Sequence, residues 1–408
     1  MRRWLLLLCV LFCAVSAPAQ SWRRAVPRQS LLSTGENHIE FPGGQERFER
    51  FFDKMDTVLL YGSGKLRIVH IGGSHVQAGT WTAQLRRNLL LFRYGLDGGR
   101  GLVFPYSAAL TNTPMSYTTS YSGQWSSDKC LRPNGRLGIT GMSVTTSDST
   151  ALLNFLTAER SAREWSPSFT FNRIELLGRG TVSPVVLLGR DTVRASWYDA
   201  SRELWHFELP RFTEEFSVGF TGWPGSFTFC GAYLDNPYNG ITLSEAGVNG
   251  ASTGSWRHCD DFLRDLTLLK PDLVIFSISI NDIQDSDFDR KRFLSNYGAL
   301  VADVLRANPA CAILFTSNND SYRRRSVNRQ GLEAASAFEE LGRIHQAGVW
   351  NLFNIMGGLG SIQSWEYAGL AQHDKIHFTP QGYDLLGNLL YNALMEAYRA
   401  HVYQTEAR

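Results

Sequence analysis

The stretch that most constrains this chain is residues 66–77, LRIVHIGGSHVQ. An apolar cluster over 66–71 suits a buried strand, two glycines turn the chain, and Ser74 stands where an amphipathic helix predicted over 76–94 must begin. A serine placed there is exposed at a strand's C-terminal end, where open α/β sheets bind ligands. It also meets the free N–H groups and positive potential of a helix N-terminus. Two readings are open for it, a helix cap or a nucleophile.

The α/β rhythm returns after residue 240. Strands are predicted at 241–245, 273–280, 311–316 and 349–355, and helices at 256–269, 293–307, 332–346 and 380–398. The run LVIFSISI is continuously apolar, as expected of a parallel strand buried on both faces. With the strand ahead of Ser74 this makes five strands alternating with helices, a doubly wound three-layer α/β/α (flavodoxin-like) domain. Ahead of it Phe48, Phe51, Phe52, Met55 and Leu59 mark one face of a packing helix.

Between the two α/β parts the texture changes. Short strand-like runs at 138–145, 151–156, 168–177, 182–188, 205–209, 215–220 and 226–233 read as an inserted β-sandwich. The expected division is a signal peptide at 1–19, a first α/β part at 20–107, the sandwich at 108–237 and a second α/β part at 238–408. The sandwich carries Trp125, Trp165, Trp197, Trp205 and Trp223, whose rings serve either for packing or for stacking on sugars.

Composition excludes little. With 40 basic against 38 acidic residues there is no overall field for nucleic acid. Arg2 and Arg3 before an apolar run over 4–15, then Ala17-Pro18-Ala19, form a secretory signal pattern. The expected location is periplasmic or secreted, with no membrane insertion after cleavage. Export permits disulfides, and Cys130, Cys230, Cys259 and Cys311 leave pairing or buried thiols open.

Near the C-terminus Asp374 and His377 stand three apart in QHDKIHFTPQGY. The carboxylate can hold the imidazole tautomer while the other ring nitrogen faces a serine. This segment, like Ser74, follows a predicted strand's C-terminal end, and those ends form one rim. The chemistry expected there is acyl transfer: His377 takes the proton of Ser74 as it attacks an ester carbonyl, then hands it to the leaving alcohol, and water clears the acyl-enzyme.

G-x-S-H near the start and D-x-x-H near the end resemble the first and last blocks of the SGNH (GDSL-like) hydrolase superfamily. GVNGAS at 247–252 resembles its second block and ISIND at 278–282 its third. The resemblance implies a catalytic triad of Ser74, His377 and Asp374, and an oxyanion hole formed by the N–H groups of Ser74 and Gly250 and the side chain of Asn281. Two positions depart from the pattern: Gly73 replaces the aspartate of GDS, and Ser279 stands where a glycine is expected. The sandwich between the first and second blocks is similar in layout to peptidoglycan O-acetylesterases with an inserted carbohydrate-binding-like β domain.

His75 and Trp256 are candidate substrate contacts, while His70 reads as a core histidine and His373 has no assigned role. Asp285, Asp287 and Asp289 lack the glycine turn and late glutamate of a calcium loop and read as a solvated helix start; no metal and no cofactor is expected. The function expected is an exported serine esterase removing O-acetyl or other short acyl groups from a cell-envelope glycan, peptidoglycan first. A periplasmic polysaccharide O-acetyltransferase with the same triad and an inactive glycan-binding relative are the alternatives.

Overall fold

The computed structural model describes residues 22–26, 31–157, 169–284 and 288–406. The expected signal peptide, Trp165, Asp285 and Asp287 lie outside them.

A six-stranded sheet forms the α/β unit, in the order Ile39–Glu40, Gly348–Trp350, Ala312–Thr316, Leu273–Ser277, Lys65–Gly72, Gly240–Gly247. Of its five pairings four are parallel, and that of the edge strand Ile39–Glu40 is antiparallel. Numbered along the chain, the parallel strands lie 2-1-3-4-5, so the direction of winding reverses between Lys65–Gly72 and Leu273–Ser277. That reversal opens a crevice at the strands' carboxyl ends.

Alternation along the central strands divides the core. Leu66, Ile68, Leu273 and Ile275 pack with the helices Glu46–Leu59, Thr80–Leu90 and Pro380–Glu406. Val69, Ile71, Val274 and Phe276 pack against Phe262–Leu269, Arg290–Ala307 and Gln330–His345, in a core that runs on without a break into the sandwich.

The sandwich has a five-stranded and a seven-stranded sheet. All seven runs read from sequence contain a strand. Five more were not read: Gly101–Val103, Thr118–Ser122, Ser126–Lys129, Asp191–Arg194 and Trp197–Asp199. Gly101–Val103 pairs with Phe227–Asp235, so the sheet begins ahead of the expected boundary at 108. A buried ion pair roots it on the α/β unit. Arg100 Nη2 lies 2.9 Å from Glu245 Oε1, and Leu102 donates its N–H to Ser244 Oγ at 3.1 Å. Among the described residues Trp197 alone of the sandwich tryptophans is exposed, stacked on His206. The four cysteines are buried free thiols.

Several expected elements are corrected. The helix after Ser74 is two pieces, Ser74–Gln77 and Thr80–Leu90, broken at Gly79, which takes φ +77°. The helix predicted over 256–269 is Thr253–Trp256 and Phe262–Leu269; Ser252 caps the first with a reciprocal Ser252–Ser255 pair. The strand predicted through residue 280 ends at Ser277, and Ile280–Gln284 is helical. The last strand stops at Trp350 because Asn351 caps a helix, Leu352–Ile355, its side chain accepting from the Asn354 N–H.

Candidate functional site

Both strands that flank the crevice end in residues of the site. After Lys65–Gly72 the chain turns through Gly73 into Ser74, the first residue of a one-turn helix. Ser74 Oγ lies 2.8 Å from His377 Nε2, and His377 Nδ1 lies 2.7 Å from Asp374 Oδ2. The D-x-x-H segment is its own scaffold: Asp374 Oδ1 accepts the N–H groups of Ile376 at 2.9 Å and His377 at 3.0 Å. Asn319 fixes the turn from outside by donating to the Ile376 carbonyl at 3.0 Å. Burial alone would raise the Asp374 carboxyl, but the His377 ring and the two N–H groups outweigh it and hold the group below its ordinary value. The three side chains thus form one line of hydrogen bonds from a carboxylate through an imidazole to a hydroxyl.

Opposite this line lie Gly250 and Asn281. Gly250 takes φ +82°, a conformation glycine enters freely, and is exposed toward solvent. In the turn 248–251 the N–H of Val248 goes to Gly72, that of Asn249 to Gln77 and that of Ala251 to Val248. The N–H groups of Gly250 and Ser74 have no acceptor among the described residues. Asn281 Nδ2 donates to the Ala251 carbonyl at 3.0 Å, which joins it to the same turn. A Cβ at position 73 would lie 3.1 Å from that nitrogen, so the aspartate of the GDS pattern would press on the Asn281 amide.

The two candidate substrate contacts are corrected. Trp256 is 1% exposed, in the core between the α/β unit and the sandwich; its helical turn points it inward. His75 is buried beneath the line, with Nδ1 2.8 Å from the Tyr383 hydroxyl and its ring 5.2 Å from that of His377. Burial first, then the neighbouring His377, pushes its pKa down to about 3. His70 is a buried ring held by Thr82 and Ser277, and His373 lies on the surface against Glu366. Asp289 caps its helix through Lys291 and Arg292.

Asp282, next to Asn281, was not singled out from sequence. Its half-buried carboxylate takes the Thr253 N–H at 3.0 Å and the Thr253 hydroxyl at 2.6 Å, holding the second and third blocks together. Burial pushes its carboxyl up to about 6 against the pull of Thr253. A folded-state pKa above the unfolded value of 3.8 means the fold prefers the protonated form, so the charged form costs stability above pH 6 and the cost fades toward 3.8. Asp282→Asn is therefore expected to gain on wild type as pH rises through that window, by on the order of 2–3 kcal/mol. Urea midpoints at several pH values check it, and a difference independent of pH would refute it.

A doubly wound sheet, four blocks in this order and a serine–histidine–carboxylate line at the switch crevice are similar to those of SGNH (GDSL-like) acylhydrolases. The model of the GDSL-like Lipase/Acylhydrolase family matches residues 212–385, a span holding Gly250, Asn281, Asp374 and His377, with Ser74 upstream. Among solved structures, a peptidoglycan O-acetylesterase matches over 89% of this chain and 99% of its own, with a TM-score of 0.74 and 22% identity. That likeness of fold takes in the inserted sandwich as well as the α/β unit. A lipase/acylhydrolase from Enterococcus faecalis matches over 39% of this chain and 77% of its own, at 20% identity and a TM-score of 0.31. An acetyl xylan esterase matches over 38% and 81%, at 15% identity and a TM-score of 0.31. No curated protein matches the sequence.

Proposed function

We propose that this chain is an exported serine esterase that removes O-acetyl, or other short acyl, groups from a cell-envelope glycan, with peptidoglycan as the leading substrate. The observation that carries the reading is the hydrogen-bonded line Asp374–His377–Ser74. His377 takes the Ser74 proton as Oγ attacks the ester carbonyl; the N–H groups of Ser74 and Gly250 and the Asn281 amide receive the oxyanion. The proton passes to the sugar oxygen as it leaves, and water, activated by the same imidazole, releases acetate from Ser74. The substrate assignment draws on the shared layout with a peptidoglycan O-acetylesterase, and export on the pattern of residues 1–19.

The test is the purified chain with O-acetylated peptidoglycan, with and without an acceptor sugar. Free acetate is expected. Acetyl found on the acceptor with no free acetate would make the chain a transferase, and neither product would overturn the reading. A fluorophosphonate probe is expected to add one adduct at Ser74 and none in Ser74→Ala.

A further inference from the structure

We infer that Gln77 is a positioning residue: it sets the turn that carries the Gly250 N–H for the oxyanion and ties that part of the site to the first loop of the β-sandwich. The inference rests on the serine-esterase reading above. Gln77 closes the same helical turn that Ser74 opens, and it is 1% exposed. A glutamine so buried must satisfy both ends of its amide, and here each end meets a partner whose role cannot change. Oε1 accepts the Asn249 N–H at 2.6 Å, a backbone donor. Nε2 donates to the Asn112 carbonyl at 2.9 Å, a backbone acceptor, and also to Thr111 Oγ1 at 2.9 Å and Asn112 Oδ1 at 3.1 Å. The orientation of the amide is therefore fixed, and only a side chain with an acceptor and a donor at that reach fits.

Asn249 directly precedes Gly250, so the bond that its N–H donates to Oε1 holds the peptide next to the one that carries the Gly250 N–H. Asn249 Nδ2 returns to Asn112 Oδ1 at 2.7 Å, closing a ring of Gln77, Asn112 and Asn249. Residues 111–112 lie in the loop between the sandwich's first two strands, Gly101–Val103 and Thr118–Ser122. That loop also reaches the strand before the turn, through the Tyr106 hydroxyl on the Gly247 carbonyl at 3.2 Å. Nucleophile turn, oxyanion turn and the first sandwich loop thus meet at one buried side chain. Preorganised donors lose their worth when displaced by fractions of an ångström, so the clamp acts on the transition state and not on substrate binding.

Gln77→Met removes both ends and Gln77→Glu removes the donors while keeping the shape; Asn112→Ala takes away one partner only. The folded Gln77 variants are expected to lose about 10- to 100-fold in kcat with KM within about twofold. Affinity for a boronic acid that mimics the tetrahedral adduct falls by the same factor as kcat/KM. Asn112→Ala is expected to lose about 3- to 10-fold in the same pattern, and it decides the matter should the Gln77 variants not fold. Wild-type kcat, a rise in KM alone, or a kcat loss without weaker boronate binding would each overturn the inference. Failure of the esterase reading is told apart by equal rates in wild type and Ser74→Ala.

Discussion

Replacing Ser74 by alanine is expected to lower kcat/KM for an acetyl ester by roughly 10⁴-fold or more while leaving the thermal transition nearly in place. Among the described residues the hydroxyl's one side-chain partner is His377, and the residue is partly open to solvent, so its loss costs the fold about 1 kcal/mol at most. The loss to chemistry is large because no other nucleophile stands on the line: without Oγ, His377 can only activate water, and the acyl-enzyme route is closed. His75 offers no substitute, since its Nδ1 is held by Tyr383 and burial keeps the ring neutral. Acetate release from p-nitrophenyl acetate and from O-acetylated glycan, with the melting temperature measured alongside, checks the expectation. A variant within tenfold of wild type would remove Ser74 from the mechanism.

The parts of the fold legible in the sequence are those whose burial is uniform. LVIFS and AILFT are covered by helices on both faces, so each reads as an unbroken apolar run. Four of the five sandwich strands that are silent in the sequence have the opposite character, while Gly101–Val103 is buried but only three residues long. TTSYS and SSDK at 118–122 and 126–129 are largely exposed, and polar residues occupy both faces, which leaves no alternation to detect. An apolar run of about four to eight residues does not tell strand from helix. That is why 349–355 was read as one strand although Asn351 divides it, and why the helical start at Ile280 was hidden inside LVIFSISI.

For the site, residues that do chemistry at strand ends were visible and residues that hold them were not. Ser74, Asp374 and His377 are reactive types at marked turns, and the structure brings them within hydrogen-bonding distance. Trp256 shows the limit of that reasoning, because an aromatic residue after a rim loop reads alike whether it faces substrate or core. The Asp282–Thr253 and Gln77–Asn249 contacts join segments far apart in the chain. Their one local signal was a polar residue beside a block, too common to single out.

Asp374→Asn is expected to lower kcat by about 10³- to 10⁴-fold with the fold intact and KM little changed. The reason lies in what the carboxylate does on its two sides. Oδ1 accepts two backbone N–H groups, from Ile376 and His377, and neither can become an acceptor. An asparagine there keeps the turn only by placing its oxygen on that side, which turns its NH2 toward His377 Nδ1. The ring must then accept at Nδ1 and carry its proton on Nε2, the nitrogen 2.8 Å from Ser74 Oγ. A protonated Nε2 donates to the serine and cannot take its proton, so the variant is folded, binds substrate and stalls at the first step. Asp374→Ala differs in kind: it frees the tautomer but releases both N–H groups of the turn, so it loses about 1 kcal/mol of stability as well. The wild-type carboxyl sits below its ordinary pKa, so its contribution to stability is present above that ordinary value and is lost as pH falls through the lowered one. Steady-state kinetics and melting curves of the two variants separate these outcomes. A kcat for Asp374→Asn within tenfold of wild type would mean that the carboxylate does not select the tautomer on which the relay depends.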